Sequence, residues 1–409
     1  MSDPQRIVIV GAGLAGASAA VGLRDRGYAG EVRMLGNELH PPYELPALSK
    51  GVLLGDADEP DWVREESFYA DHDITHERGV TATRVELGAR LVFDDSGGEH
   101  KFDRLLLATG SRPRSLPVPG ADFPGLRTLR TFEDSLALRS AFAEAERVVI
   151  VGAGWIGTEA AAAARKHGAE VTVVDLISSP LVSVLGDEVS AVFRDLQTEH
   201  GVHWRLGAKV AEFTGGPDGV RGVRLADGEE LTADVVLVAV GVAPRVELAH
   251  AAGLELADDG GVSVDAGLRT AAPDVYAAGD IAAHFHPRYG KRVRVEHWAN
   301  AKNQGTHVAG NLIGDNEPYL NSPYFFSDQY DLGCEYRGLA DLDTDELVVR
   351  GDLATREFIA FWLRQGQVSA AMNVNMWDDG DALKSLVDGR TTVTADQLRD
   401  ADLGTLAGE

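Results

Sequence analysis

The sequence predicts an α/β fold made of two parallel-sheet units and a C-terminal α+β unit, and three observations carry that expectation. The stretch RIVIVGAGLAG occupies residues 6–16, a near-copy RVVIVGAGWIG occupies 147–157, and after Pro323 the chain changes to short, aromatic-rich strands. In each copy a β-branched run enters a glycine-rich turn and then an Ala-rich stretch, the pattern of strand, tight turn and helix. A single G-x-G-x-x-G is weak evidence. Two in one chain predict two Rossmann-like, dinucleotide-binding domains.

The glycines of each turn have separate tasks. Gly11 lets the chain reverse, Gly13 lets backbone amides approach a pyrophosphate, and Gly16 lets the helix pack on the strand. Gly152, Gly154 and Gly157 repeat the arrangement, with Trp155 and Ile156 inside the turn. Both helix N-termini offer amides and partial positive charge to phosphates. Downstream the copies differ. The second continues into VTVVD, placing Asp175 where an acid binds a ribose diol, whereas the first reads VRMLGNE, with Asn37 at that point and Glu38 just beyond. Different ribose ends predict two different nucleotides.

A chain of 409 residues has room for two or three domains. Its net charge of −26 excludes a general nucleic-acid binder, because phosphate neutralisation needs clustered Lys and Arg. The basic residues Arg288, Lys291, Arg292 and Arg294 are read either as a solvated loop or as a patch for an acidic protein. The apolar run 7–23 behind Arg6 has the look of a signal peptide or membrane span, but its copy in mid-chain favours the glycine turn. A cytoplasmic protein without a membrane partner is expected. Cys334 is the single cysteine, so neither an internal disulfide nor a C-x-x-C site is available.

In chain order, PPYELPALSK at 41–50 is read as neither ordinary helix nor central strand, and it ends on Lys50. His72, His76 and Glu77 are read as a surface turn rather than a metal pair. Residues 80–102 alternate as an antiparallel meander, and the strand that follows ends at Ala108, Thr109 and Gly110, facing the first nucleotide. Residues 113–146, rich in Pro and Gly, read as a crossing linker, and the second unit closes with VVLVAVG at Gly241. The strand in VYAAGD ends on Gly279 and Asp280, an acid able to accept hydrogen bonds from a hydroxyl-rich ligand. Glu296, His297 and Trp298 then lead into a helix from about Ala299, whose N-terminus stabilises negative charge.

Together these residues carry a resemblance that covers nearly the whole chain. VGAGLAG, PALSK, LLLATGSRPR, LRTFED, VGAGWIGTE, VYAAGD, VEHWANAKNQG and FFSDQYDLG resemble the FAD-dependent NADH:ferredoxin reductases of the putidaredoxin reductase type. The chain is more distantly similar to apoptosis-inducing factor. The resemblance implies an FAD-binding domain at 1–113 and 242–321, an NADH-binding domain at 114–241, and a C-terminal domain at 322–409 covering the flavin. Ala15, Asn37, Lys50, Ala82, Arg130, Asp280 and Trp298 match FAD-contacting positions. Glu159 matches a carboxylate facing Lys50 beside the flavin, and Trp155 stands where a side chain lies over the ring; these three are the implied catalytic positions. The implied reaction is hydride transfer from NADH to FAD, followed by single-electron transfer to a small, two-iron ferredoxin that serves an oxygenase. A weak dimer is compatible with the family.

Three departures stand out. Asn37 replaces a carboxylate, Trp155 is larger than usual, and Phe326 stands where many relatives carry a tryptophan on the electron exit side. Dithiol reductase chemistry is excluded, since no cysteine pair follows the first glycine helix. An NADH oxidase or quinone reductase, and a slow redox-sensing interaction protein, are the alternatives. Asp175, with no arginine from 176 to 185, predicts NADH rather than NADPH.

Overall fold

The computed structural model describes residues 4–408. They form two compact units, each assembled from three stretches of chain. The first comprises the chain up to Leu45, Asp61–Arg112 and Val242–Asn321; the second comprises Pro46–Pro60, Pro113–Gly241 and the chain from Ser322.

The first unit is built on a parallel sheet in the order Val275–Ala277, Arg104–Leu107, Arg6–Val10, Glu31–Gly36, Ile74–Arg78. Its central strand is buried on both faces, which is why RIVIV is apolar without alternation. Val10 lies level with Leu35 on one side and Leu107 on the other, so the first glycine turn leaves the sheet between two neighbours that end beside it. Gly11 N donates to Leu35 O at 2.9 Å, and Ala108 N to Val10 O at 2.8 Å. Helix Leu14–Asp25 packs on helix Trp298–Ile313, and a Cβ on Gly305 would lie 2.2 Å from Ala15 O, so only glycine permits that approach.

The second unit repeats the plan in a parallel sheet ordered Val202–Leu206, Glu170–Asp175, Arg147–Val151, Val235–Val238, Leu126–Arg127. Gly152 N donates to Val174 O at 2.8 Å and Ala239 N to Val151 O at 2.7 Å, the same two bonds as in the first unit. The duplication also reaches the far end of each sheet. Asp103 Oδ2 accepts from Gln5 N and Arg6 N at 2.9 and 2.8 Å, and Asp234 Oδ2 accepts from Glu146 N and Arg147 N at 3.1 and 2.8 Å. In sequence this is D-x-x-L-x-A-x-G at 103–110 and again at 234–241.

From Tyr324 the second unit adds an antiparallel sheet ordered Tyr324–Gln329, Leu332–Gly338, Gln367–Val374, Glu357–Arg364, Glu346–Asp352. One face packs on Leu185, Val189 and Phe193 of helix Val182–Glu199, the other on Leu383 and Leu386 of helix Gly380–Gly389. Two covered faces explain the near-continuous apolar runs in EFIAFWLR and VSAAMNV.

Three sequence expectations change. Residues 132–144 form a 13-residue helix inside the segment expected to be a linker, started by a capping box in which Thr131 and Asp134 exchange side-chain and backbone hydrogen bonds. Residues 74–78 are the edge strand of the first sheet, not a turn, because Val32 to Gly36 offer a paired edge along their whole length. Within PPYELPALSK, Pro46 begins a one-turn helix, Pro46–Ser49, at the one position where a missing N–H costs nothing. Within the basic cluster, Lys291 and Arg292 are exposed, Arg292 donates to Val264 O and Ala283 O, and Arg294 donates to Asp280 O at 3.2 Å and pairs with Glu296. Among the described residues, no helix is long and apolar enough to cross a membrane, and no His/Cys/Asp/Glu group is placed to hold a metal.

Candidate functional site

In the first unit the glycine turn is fixed by what side chains would strike. A Cβ on Gly11 would lie 2.1 Å from Ala108 O, and one on Gly16 would lie 1.9 Å from Gly11 O, whereas one on Gly13 would meet nothing within 4 Å. Gly11 and Gly16 are thus demanded by packing, and Gly13 opens a space beside the N-terminus of helix Leu14–Asp25. That helix has Gly13 as its cap residue and no side-chain cap. Uncapped amides facing open space fit a pyrophosphate.

The predicted residues of the first unit lie in several of its elements. Ala15 is buried, and a Cβ on Gly279 would lie 2.9 Å from its methyl group. Gly279 takes a left-handed backbone and its N–H donates to Gln304 Oε1 at 2.9 Å. Asp280, 7% exposed, accepts a hydrogen bond from Ser111 Oγ at 2.6 Å. Ala108 is buried, Thr109 Oγ1 donates to Arg245 O at 2.6 Å, and Gly110 O accepts from Arg245 N at 2.9 Å. Asn37 is exposed, while the Glu38 carboxylate accepts from Tyr43 OH at 2.6 Å, so a local partner already engages that acid. Ala82 lies partly buried in the strand Ala82–Glu86.

Helix Trp298–Ile313 starts on Trp298 itself, with His297 as cap residue. Trp298 Nε1 donates to Glu44 Oε2 at 2.9 Å, and Lys302 reaches the same carboxylate at 3.1 Å. Glu296 pairs with Arg294. Burial holds His297 down to about 4, against the raising influence of Asp280, so its imidazole is neutral at pH 7.

The second unit carries the matching turn. A Cβ on Gly152 would lie 2.3 Å from Ala239 O, one on Gly157 would lie 1.9 Å from Gly152 O, and one on Gly154 would meet nothing within 4 Å. Helix Trp155–Lys166 again has a glycine cap and no side-chain cap. Asp175 Oδ2 accepts from Ala153 N at 2.6 Å and Oδ1 from Ile177 N at 3.2 Å, which locks the carboxylate beside the turn. Ile156 is 41% exposed and Gly241 is exposed with φ +89°. The Trp155 ring packs edge-on to Phe193 at 5.6 Å and tilted to Phe325 at 4.8 Å.

The same unit brings Lys50 and Glu159 together. Lys50 Nζ lies 2.8 Å from Glu159 Oε1, with side-chain exposures of 17% and 4%. Ser327 Oγ donates to the same oxygen at 2.6 Å, and Ser49 Oγ donates to Oε2. The Lys50 ammonium also stands 5.0 Å from the centroid of the Phe326 ring. Arg130 anchors the helix that follows through its backbone N–H, which donates to Asp134 Oδ2 at 2.9 Å. Ser49, Ser111, Gln304 and Ser327 lie outside the residues singled out from sequence, although each sits inside or beside a motif quoted there.

The pyridine nucleotide-disulphide oxidoreductase family matches residues 5–305, and the reductase C-terminal family matches residues 324–406. Rhodocoxin reductase of Rhodococcus erythropolis is 37% identical over 397 residues, covering 97% of this chain and 92% of that one. The ferredoxin–NAD(+) reductase component of the biphenyl dioxygenase system of Paraburkholderia xenovorans is 38% identical over 396 residues, covering 96% of each. Among solved structures, the covalent putidaredoxin reductase–putidaredoxin complex superposes with a TM-score of 0.94 at 35% identity, covering 100% of this chain and 98% of that one. With a relative of this identity matched along nearly its whole length and two open glycine turns in place, the chain belongs to the pyridine nucleotide-disulphide oxidoreductase family, in the branch that carries a reductase C-terminal domain.

Proposed function

We propose that the protein is an NADH-dependent flavoprotein reductase that hands electrons to an iron–sulfur ferredoxin serving an oxygenase. The observation that carries this reading is the pair of open, uncapped glycine turns, one in each unit, in a chain whose relatives are ferredoxin reductases of oxygenase systems. The cofactors are FAD and NADH. FAD, when bound, takes two electrons from a nicotinamide and returns them one at a time. The protein supplies placement and charge.

The first unit suits FAD: Gly13 and the helix amides for the pyrophosphate, and Asp280, oriented by Ser111, for ribityl hydroxyls. The second suits NADH: Gly154 for the pyrophosphate and Asp175 for the adenosine ribose. Lys50 brings a positive charge held by Glu159, and we assign it to the reduced flavin edge on the strength of the family likeness. The ferredoxin is of the two-iron type, and the enzyme works in the cytoplasm, as a monomer or weak dimer.

The test is a stopped-flow reduction of the purified holoprotein by NADH, with ferredoxins then offered in turn under anaerobic and aerobic conditions. Fast ferredoxin reduction with feeble oxygen consumption is the expected result. Fast oxygen or quinone consumption without ferredoxin turnover would replace this reading by an oxidase or quinone reductase. A long-lived reduced complex that no acceptor drains would replace it by a redox sensor.

A further inference from the structure

The motif FFSDQYDLG has so far been only a family marker, and its alternation has a physical reading. Ser327 and Gln329 stand two apart on the strand Tyr324–Gln329 and therefore share a face. Each is 1% exposed, and each reaches the first turn and a half of helix Trp155–Lys166. Ser327 Oγ donates to Glu159 Oε1 at 2.6 Å. Gln329 Nε2 donates to Thr158 Oγ1 at 2.9 Å and lies 3.4 Å from Ser327 Oγ. Behind them Gln197, fully buried, donates to Gln329 Oε1 at 2.8 Å and to Thr158 O at 2.9 Å.

A buried amide fixed at both ends cannot rotate without breaking hydrogen bonds that no water replaces. Gln197 and Gln329 thus set the position of Ser327, and Ser327 sets the carboxylate of Glu159. That carboxylate divides its charge among Lys50, Ser49 and Ser327. Without the Ser327 hydroxyl, Oε1 would be left to Lys50 alone, neutralising more of the ammonium charge and freeing the carboxylate to swing with it.

We propose that Ser327 and Gln329 are positioning residues for the Lys50–Glu159 pair, acting from the C-terminal domain on the field that Lys50 presents to the flavin. This rests on the function proposed above. It also accounts for the T-E of VGAGWIGTE and the S-x-Q of FFSDQY as two halves of one hydrogen-bonded contact.

The test is a double-substitution cycle on holoprotein, with Ser327→Ala, Glu159→Gln and the combination. Two readouts are taken, the rate of FAD reduction by NADH without any ferredoxin and the flavin two-electron midpoint potential. Ser327→Ala should slow reduction about tenfold, the change commanded by one charge-assisted hydrogen bond. It should lower the potential by up to about 30 mV, the equivalent of tenfold for a two-electron couple. In the Glu159→Gln background Ser327→Ala should change neither. Ser327→Thr, which keeps the hydroxyl, should restore both, and Gln329→Met should weaken both. Equal effects of Ser327→Ala with and without Glu159 would overturn the proposal, and so would a wild-type rate and potential in Ser327→Ala. If Ser327→Ala does not fold, Gln329→Met with wild-type rate and potential is sufficient to overturn it. Wild-type protein that NADH cannot reduce would instead refute the underlying function, and the proposal would fall with it.

Discussion

Coenzyme choice is expected to depend on the charge of Asp175 more than on its shape, and the structure allows the two to be separated. The carboxylate is held by Ala153 N at 2.6 Å and Ile177 N at 3.2 Å, so it cannot turn away from a ligand in the second glycine turn. A ribose 2′-phosphate seated there would put like charges about 5 Å apart. At an effective dielectric of about 20, each unit pair repels by roughly 3 kcal/mol. Even if screening removes half of that, roughly 1.5 kcal/mol or tenfold discrimination against NADPH remains. No Lys or Arg occurs from 176 to 185 to offset it. Asp175→Asn keeps an acceptor for the Ala153 amide and removes the charge, so the preference for NADH should fall to within a few-fold while thermal stability stays near wild type. Asp175→Ala removes both, and should add a stability loss of about 1–3 kcal/mol from the orphaned amides. The assay is kcat/KM for NADH and NADPH by loss of the flavin's visible absorbance, alongside thermal unfolding. Equal use of both coenzymes by the wild type, or full discrimination retained in Asp175→Asn, would refute the reasoning.

Gly154→Ala should fold normally and lose NADH affinity at least tenfold, because its Cβ meets only open space, whereas Gly157→Ala should fail to fold, with its Cβ 1.9 Å from Gly152 O; calorimetry and NADH titration separate the two. Asp280→Ala should release FAD during dialysis, having lost a buried charge-assisted hydrogen bond worth about 1.5–3 kcal/mol, and unchanged FAD affinity would contradict its assignment. Burial holds His76, His284 and His297 at about 4 in the fold against 6.5 when free, so the unfolded chain takes up more protons between those values. Stability that is fully present above about pH 6.5 should therefore be lost on acidification towards about pH 4, by up to about 1.4 kcal/mol per pH unit for each histidine; a flat melting profile over that window would contradict the burial argument. Cys334 is fully buried and its thiol is pushed up by desolvation, so native protein should resist thiol reagents, and Cys334→Ser should retain ferredoxin turnover while melting slightly lower.

Much of this architecture is legible in sequence because both glycine turns are short-range objects. Strand, turn and helix lie within about twenty residues, and each glycine answers to a local clash. The helix at residues 132–144 was equally local, yet prolines upstream masked it; Thr131 with Asp134 was the available signal. The repeated D-x-x-L-x-A-x-G was also there to be read, but its aspartates act on the backbone of a strand about ninety residues away. Long-range partners are what a sequence hides. Nothing near Glu159 announces that Ser49 and Ser327, 110 and 168 residues distant, donate to its carboxylate. In the basic cluster at 288–294, spacing shows the charge but not the carbonyls that Arg292 and Arg294 reach.

The interleaving of the two units has a consequence for biosynthesis. A nascent chain that has emerged as far as Gly241 holds the central strands of the first unit but lacks the edge strand Val275–Ala277 and the helix Trp298–Ile313 that covers Leu14–Asp25. Residues 46–60, made early, must wait for helix Trp155–Lys166, and Glu159 waits again for Ser327. Parallel pairings across such separations close slowly, so the sheet of the first unit is expected to be completed only after about residue 321 has been added. For the same reason neither unit can be cut out as one continuous fragment, and expressing the first alone calls for a re-joined chain in which short linkers replace 46–60 and 113–241.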